Sequence, residues 1–185
     1  GTPRAANTVI APKATGGGSS SALALSSESS SAASSALIEV VISEVQAGSA
    51  SEGKDEFVEL YNPGSVAVNL AGWDVKKRTS SGTLYNLATN VTGMIEPNGF
   101  FLVASGEYTG TVTADVMYTQ SSNYLAGSSN TVVLFDGDAN TIDEFAYDAI
   151  TAGESSERRA SSGGGCVSAQ GGGEFLGNGC DTASS

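Results

Sequence analysis

Apolar and polar residues alternate in short runs through the middle of the chain, and Gly, Pro, Asn, Asp and Ser separate each run from the next. A period of two sends alternate side chains to opposite faces of an extended strand. Leu37 to Val45 (LIEVVISEV) is the first run; its β-branched residues, interrupted by Glu39 and Glu44, predict a strand with one partly wet face. After a polar loop at Gln46 to Lys54 comes Glu56 to Asn62, where Val58 and Leu60 share one face and Phe57, Glu59 and Tyr61 share the other. Asn62-Pro63-Gly64-Ser65 predicts a turn, since proline presets φ and glycine accepts a positive one. Val66 to Leu70 reads as another strand, Gly72 releases the chain, and Trp73 to Lys76 resume the alternation. A lone Trp in such a run belongs to a core more readily than to a ligand platform, so Val58, Leu60 and Trp73 are core candidates.

The pattern continues with Leu84 to Leu87, then Met94-Ile95 ahead of a Glu96-Pro97-Asn98-Gly99 turn. Phe100 to Ala104 (FFLVA) is bulky enough for a strand buried on both faces. Val116 to Thr119, Thr131 to Phe135 and Thr141 to Tyr147 complete the series, the last two joined as a hairpin by the acidic loop Asp136 to Asn140. No window sustains a capped 3.6-residue period. Short strands at roughly ten-residue spacing predict an all-β sandwich.

Composition divides the chain into three segments. Residues 1–36 are rich in Ser, Gly and Ala and too poor in apolar area to offset their ordering entropy, so they form an extended low-complexity arm. Residues 37–150 are the sandwich, and 151–185 a Gly-rich tail. Within the arm Thr8, Val9, Ile10 and Ala11 make a β-prone tetrad closed by Pro12, suited to adding as a strand to a sheet edge. In the tail Cys166 and Cys180 enclose small and polar residues, and a disulfide is expected between them. A loop of about 15 residues gains roughly 3 kcal/mol from such a bond, which also implies an oxidising compartment. The alternative is a reduced pair in a loose tail.

Charge narrows the function classes. Eight Lys and Arg against twenty Asp and Glu give a formal net charge of −12, which excludes the cationic footprint of a nucleic-acid binder. The two basic clusters, Lys76-Lys77-Arg78 and Arg158-Arg159, read as solvated strand-end or loop charge. Histidine is absent, which removes the commonest general base and metal ligand together. No apolar run approaches the roughly 20 residues of a spanning helix, so no membrane insertion is expected. A first residue of Gly, with neither Met nor an apolar leader, is expected of a processed chain or an expressed fragment.

Several segments together resemble the lamin-tail domain, an immunoglobulin-like sandwich, in its secreted bacterial form. They are VISEVQ at Val41 to Gln46, EFVELYNPGSVAVNLAGWDV at Glu56 to Val75, IEPNGFFLVAS at Ile95 to Ser105 and NTVVLFDGDANTIDEFAY at Asn130 to Tyr147, with ESSERRA and LGNGCDT in the tail. The resemblance covers roughly Ile38 to Thr182. It implies an interaction or scaffolding module without a catalytic constellation; the cysteine-bridged tail departs from the family pattern. Function still has to be argued from sites.

Candidate sites are few. Ser51 to Lys54 (SEGK) has the Ser-x-x-Lys spacing of penicillin-recognising enzymes but lacks its companion motifs, so catalysis is not expected there. Asp136, Asp138 and Asn140 offer oxygens to calcium, yet a hairpin turn uses the same residue types; no cofactor is expected, calcium being the one weak candidate. No spacing selects a carboxylate pair for glycoside chemistry, since most belong to wet faces or loops, and the chain is expected not to be an enzyme. Asn90-Val91-Thr92 fits a glycosylation sequon. Phe100, Tyr108, Tyr118 and Tyr124 could line a sugar-binding face, Tyr108 and Tyr124 being the better candidates because they lie in Ser- and Gly-rich loops. Two functions follow as expectations. One is an extracellular structural subunit that self-assembles, as a filament or surface layer, with copies of itself through the sandwich and arm. The other is a cell-surface module that binds a glycan or partner protein.

Overall fold

The computed structural model describes residues 40–119 and 124–158, together with the backbone of two short strands beyond them. The strands are β1 (Val41–Ala47), β2 (Glu56–Tyr61), β3 (Val68–Asn69), β4 (Trp73–Thr79), β5 (Leu84–Val91), β6 (Met94–Ile95) and β7 (Phe100–Ser105). They continue with β8 (Val116–Tyr118), β9 (Ser128–Phe135), β10 (Thr141–Ala149), β11 (Ser156–Glu157), β12 (Ala160–Ser162) and β13 (Gly165–Val167). No helix occurs among the described residues.

Two sheets make the sandwich, one in the order β11-β1-β2-β7-β8 and the other β10-β9-β4-β5. Pairing is antiparallel except between β7 and β8, where Val103 to Ser105 run parallel to Val116 to Tyr118. β12 pairs with β13, and β3 with β6, as separate two-stranded ladders. Pairing within the first sheet thus reaches Glu157, which lies opposite Glu44.

The core follows the period-two pattern. Val58 and Leu60 of β2, Phe101 and Val103 of β7, and Trp73 and Val75 of β4 are buried in one cluster with Leu87, Val132 and Leu134. A register shift between Ile42 and Glu44 gives β1 one extra residue, Ser43. The bulge changes the parity of the strand. Ile42 and Val45, three apart, therefore both enter the core, while Glu44 turns to the opposite face.

That outer face is also covered. Phe57, Leu102 and Ala104 form a second buried cluster, against which Tyr108, Val112 and Ala114 of the connection to β8 pack. β2 and β7 are consequently buried on both sides, as FFLVA predicts for β7. Asn62 fixes the turn after β2: its buried amide donates to the Val66, Ile95 and Glu96 carbonyls, and its Oδ1 accepts from Gly64 N at 2.9 Å. The apolar run at Val66 is shorter as a strand than its pattern suggests, because only Val68 and Asn69 find ladder partners and Val66 is exposed.

Candidate functional site

Unpaired strand edges are where an all-β domain can add another chain, and most proteins blunt them with charge, bulges or brevity. Among the described residues, three of the four edges are blunted. β1 is covered by β11, and Arg158 N donates to Ser43 O beyond it. β8 has three residues, and β10 carries Asp143, Glu144 and Asp148. β5 is different: it is eight residues long (LYNLATNV) and has no charge.

β5 pairs with β4, Leu84 opposite Arg78, Tyr85 opposite Lys77 and Asn86 opposite Lys76. Further on, two register shifts twist the ladder, and Leu87 and Val91 turn into the core. The regular half therefore presents its side chains outward, with Leu84 44 % and Tyr85 39 % exposed. Lys77 Nζ lies 5.6 Å from the Tyr85 ring centroid and donates to the Tyr124 carbonyl. Lys76 pairs with Asp74 at 3.2 Å, and Arg78 clamps Glu144 through two bonds of 2.8 and 2.5 Å. The cluster expected to be solvated is half-exposed, and each of its side chains is also engaged along β4.

Arg158 corrects the sequence reading more strongly. It is 3 % exposed rather than solvated, donating through Nε to Ile42 O at 2.9 Å and through Nη2 to Asp143 Oδ2 at 2.7 Å. The carboxylates depart from expectation in the same way, since Glu44, Asp55, Glu56 and Glu59 are buried rather than wet. Glu56 accepts from Tyr118 Oη at 2.5 Å and from Leu125 N at 2.7 Å. Burial nevertheless pushes it up to about 7, against those two hydrogen bonds and the Lys77 charge. Glu44 rises to about 7 as well, through burial first and then the Glu59 and Glu157 charges, opposed by the nearby Ser155 hydroxyl. Burial and the Glu56 charge raise the Tyr118 and Tyr147 hydroxyls.

The profile of the lamin tail domain family matches residues 33–149, more than half of the chain. The protein belongs to the lamin tail domain family. This is a family of structural, immunoglobulin-like domains, and the two sheets with their shared core are that fold. A search of curated proteins found no match.

Within the lamin tail domain the predicted site residues lie in separate places. Asp136 Oδ1 accepts from Asp138 N at 3.0 Å and Asn140 N at 2.8 Å, and its Oδ2 from Asn140 Nδ2 at 2.9 Å, so the loop's own donors take up this carboxylate. No group of three potential metal ligands occurs among the described residues. The proposed sugar-facing rings serve packing: Tyr118 is buried on Glu56, Tyr108 meets the Phe57 ring edge-on at 5.9 Å, and Phe100 lies 4.8 Å from Tyr61. Tyr124 sits beneath Lys54 Nζ at 4.7 Å. Asn90 of the sequon is exposed near the end of β5 with a φ of 51°. Thr8 to Ala11 and Cys180 lie outside the described residues, and Cys166 is described only as backbone in β13.

Sequence reasoning missed β5 as a site because edge position is a property of strand order. Its lack of charge was visible in LYNLATNV, in a chain of net charge −12.

Proposed function

We propose that this lamin tail domain is a non-enzymatic extracellular structural subunit that assembles with copies of itself, β5 of one copy accepting the Thr8–Ala11 segment of another. The observation that carries the reading is the uncharged β5 edge with Leu84 and Tyr85 exposed. Main-chain pairing at such an edge supplies affinity, and alternate side chains supply register. The arm is suited to the task by charge: residues 1–36 hold Arg4 and Lys13 against the single carboxylate Glu28, whereas the remainder is strongly acidic. An oxidising, cell-surface setting agrees with the paired spacing of Cys166 and Cys180.

Light scattering of the full chain over a range of concentrations tests this. Assembly should be lost on deleting residues 1–36, in Ile10→Pro, which removes a ladder donor, and in Tyr85→Lys, which charges the edge. A deletion variant that assembles as the full chain does would sink the reading. The second reading, a surface module that binds a glycan or partner protein, draws on the exposed Tyr85 ring beside Lys77. It predicts a monomer at every concentration, with saturable binding that Tyr85→Ala abolishes.

A further inference from the structure

Asn90 and Thr92 lie at the end of β5 far from Leu84 and Tyr85, exposed on either side of the buried Val91. A register shift brings them out. Trp73 pairs with Val91 and Val75 with Ala88, so two steps along β4 face three along β5, and the extra residue lies at Thr89–Asn90. Such a bulge breaks the alternation of the strand. Thr89 and Asn90 are accordingly exposed in succession, and Asn90 has a left-handed φ of 51°. The main chain is fixed around them: Asn90 N donates to Asp74 Oδ1 at 3.0 Å, Val91 O accepts from Gly72 N at 3.1 Å and Gly93 O from Leu70 N at 3.0 Å.

Most asparagines of the domain serve turns and packing. The Asn62 amide donates to three carbonyls, Asn69 and Asn98 accept through Oδ1 from Ala71 N and Tyr61 Oη, Asn130 donates to Ser128 O and Asn140 to Asp136 Oδ2. The Asn90 side chain has no hydrogen-bond partner among the described residues, and neither has the Thr92 hydroxyl. A left-handed position admits Gly, Asn or Asp alike and makes no demand on the residue two places on. Asn90-Val91-Thr92 is the one Asn-x-Ser/Thr triplet of the sequence, and both its polar side chains are presented to solvent.

We propose that Asn90 carries an N-linked oligosaccharide, and that this sugar guards the distal half of β5 in place of charge. In the transfer, Nδ2 of Asn90 attacks C1 of an oligosaccharide linked to a polyprenyl diphosphate. The N–C1 bond forms, the C1–O bond breaks with its electron pair leaving on the diphosphate, and the amide gives one proton to a base of the transferase. The placement suits a guard. β5 has no charge along its eight residues, and an uncharged edge is a template for unwanted strands. Asn90 lies six residues beyond Leu84, roughly 20 Å along an extended strand. A four-residue strand seated at Leu84 to Leu87 would clear the sugar, whereas a longer one would meet a bulky, solubilising group. The guarding role rests on the proposed use of β5, and the modification on the extracellular setting proposed with it.

Mass spectrometry of the full chain from the cells that produce it tests the modification. The peptide containing Asn90 should exceed its sequence mass by an oligosaccharide, which is lost in Thr92→Ala and kept in Thr92→Ser. A bare Asn90 on chains recovered outside the cell, or a sugar that persists in Thr92→Ala, overturns the assignment and leaves the assembly reading standing. Bare chains confined to the cytoplasm overturn the extracellular setting as well. Deleting residues 1–36 and Tyr85→Lys, which test assembly, should leave the occupancy of Asn90 unchanged, so the two ideas fail separately. Thioflavin fluorescence reads the guarding role: Thr92→Ala chains should aggregate several-fold sooner than Thr92→Ser chains, and equal lag times would overturn it.

Discussion

Arg158 Nη2 and Ile42 N both donate to one oxygen of Asp143, Oδ2, at 2.7 Å each. Asp143 belongs to β10 and Ile42 to β1, so one carboxylate ties the two sheets at their shared margin, and the guanidinium holds it there. The side chains are 1 % and 10 % exposed. Removing one partner of a buried pair leaves the other charge uncompensated, at a cost of about 3–5 kcal/mol. Arg158→Ala should lose that much in urea unfolding. Arg158→Lys should recover some of it, because the charge stays while the Nε bond to the Ile42 carbonyl is lost.

Acid should stabilise this fold near neutrality. Glu44 and Glu56 are pushed up to about 7 from 4.5, so between those values the folded chain binds more protons than the unfolded one. Their contribution is favourable in full below about pH 4.5 and is lost as pH rises through about 7, a change of roughly 3 kcal/mol for each. Calorimetry should find a lower Tm at pH 8 than at pH 5. Glu56→Gln keeps a hydrogen-bonding group opposite Tyr118 and Leu125 and should flatten the slope; a slope that steepens would contradict the assignment.

Those polar residues also mark where the sequence stops being informative. Val58, Leu60, Trp73 and the doubly buried FFLVA run were legible because burial along a strand follows a local period. The burial of Arg158 depends on Ile42, 116 positions away, and the parity of β1 on a one-residue bulge at Ser43. Neither has a local signal. A charge embedded in an apolar strand, as Glu59 is in FVELY, is the hint that was available: solvent on that side would suit Glu59, but not Phe57 and Tyr61 beside it. The edge status of β5 required the strand order, which alternation does not encode.

Two glycines with positive φ separate backbone strain from steric cost. Gly82 has a φ of 84° with nothing within 4 Å of a built Cβ, whereas at Gly93, with a φ of 147°, that Cβ would lie 2.5 Å from the Phe101 ring. Gly82→Ala should cost about 1–2 kcal/mol, the strain of a left-handed residue. Gly93→Ala adds overpacking against a core aromatic and should cost roughly twice as much. Equal denaturation midpoints for the two variants would show that the ring yields freely.

The Asp136 loop separates turn chemistry from metal binding. Three donors from Asp138 and Asn140 converge on the Asp136 carboxylate, and these hydrogen bonds, the Asn140 side chain foremost, hold its pKa below the usual range. A lowered carboxylate stabilises the fold above its unfolded pKa, and the effect fades as pH falls through the folded value. A calcium ion would have to displace those donors to gain the same oxygens. Calorimetric titration with millimolar calcium should therefore give no binding heat, and Asp136→Asn should weaken the β9–β10 hairpin whether or not calcium is present. Saturable heat lost in Asp136→Asn would instead establish a metal site, with the loop donors rearranged around it.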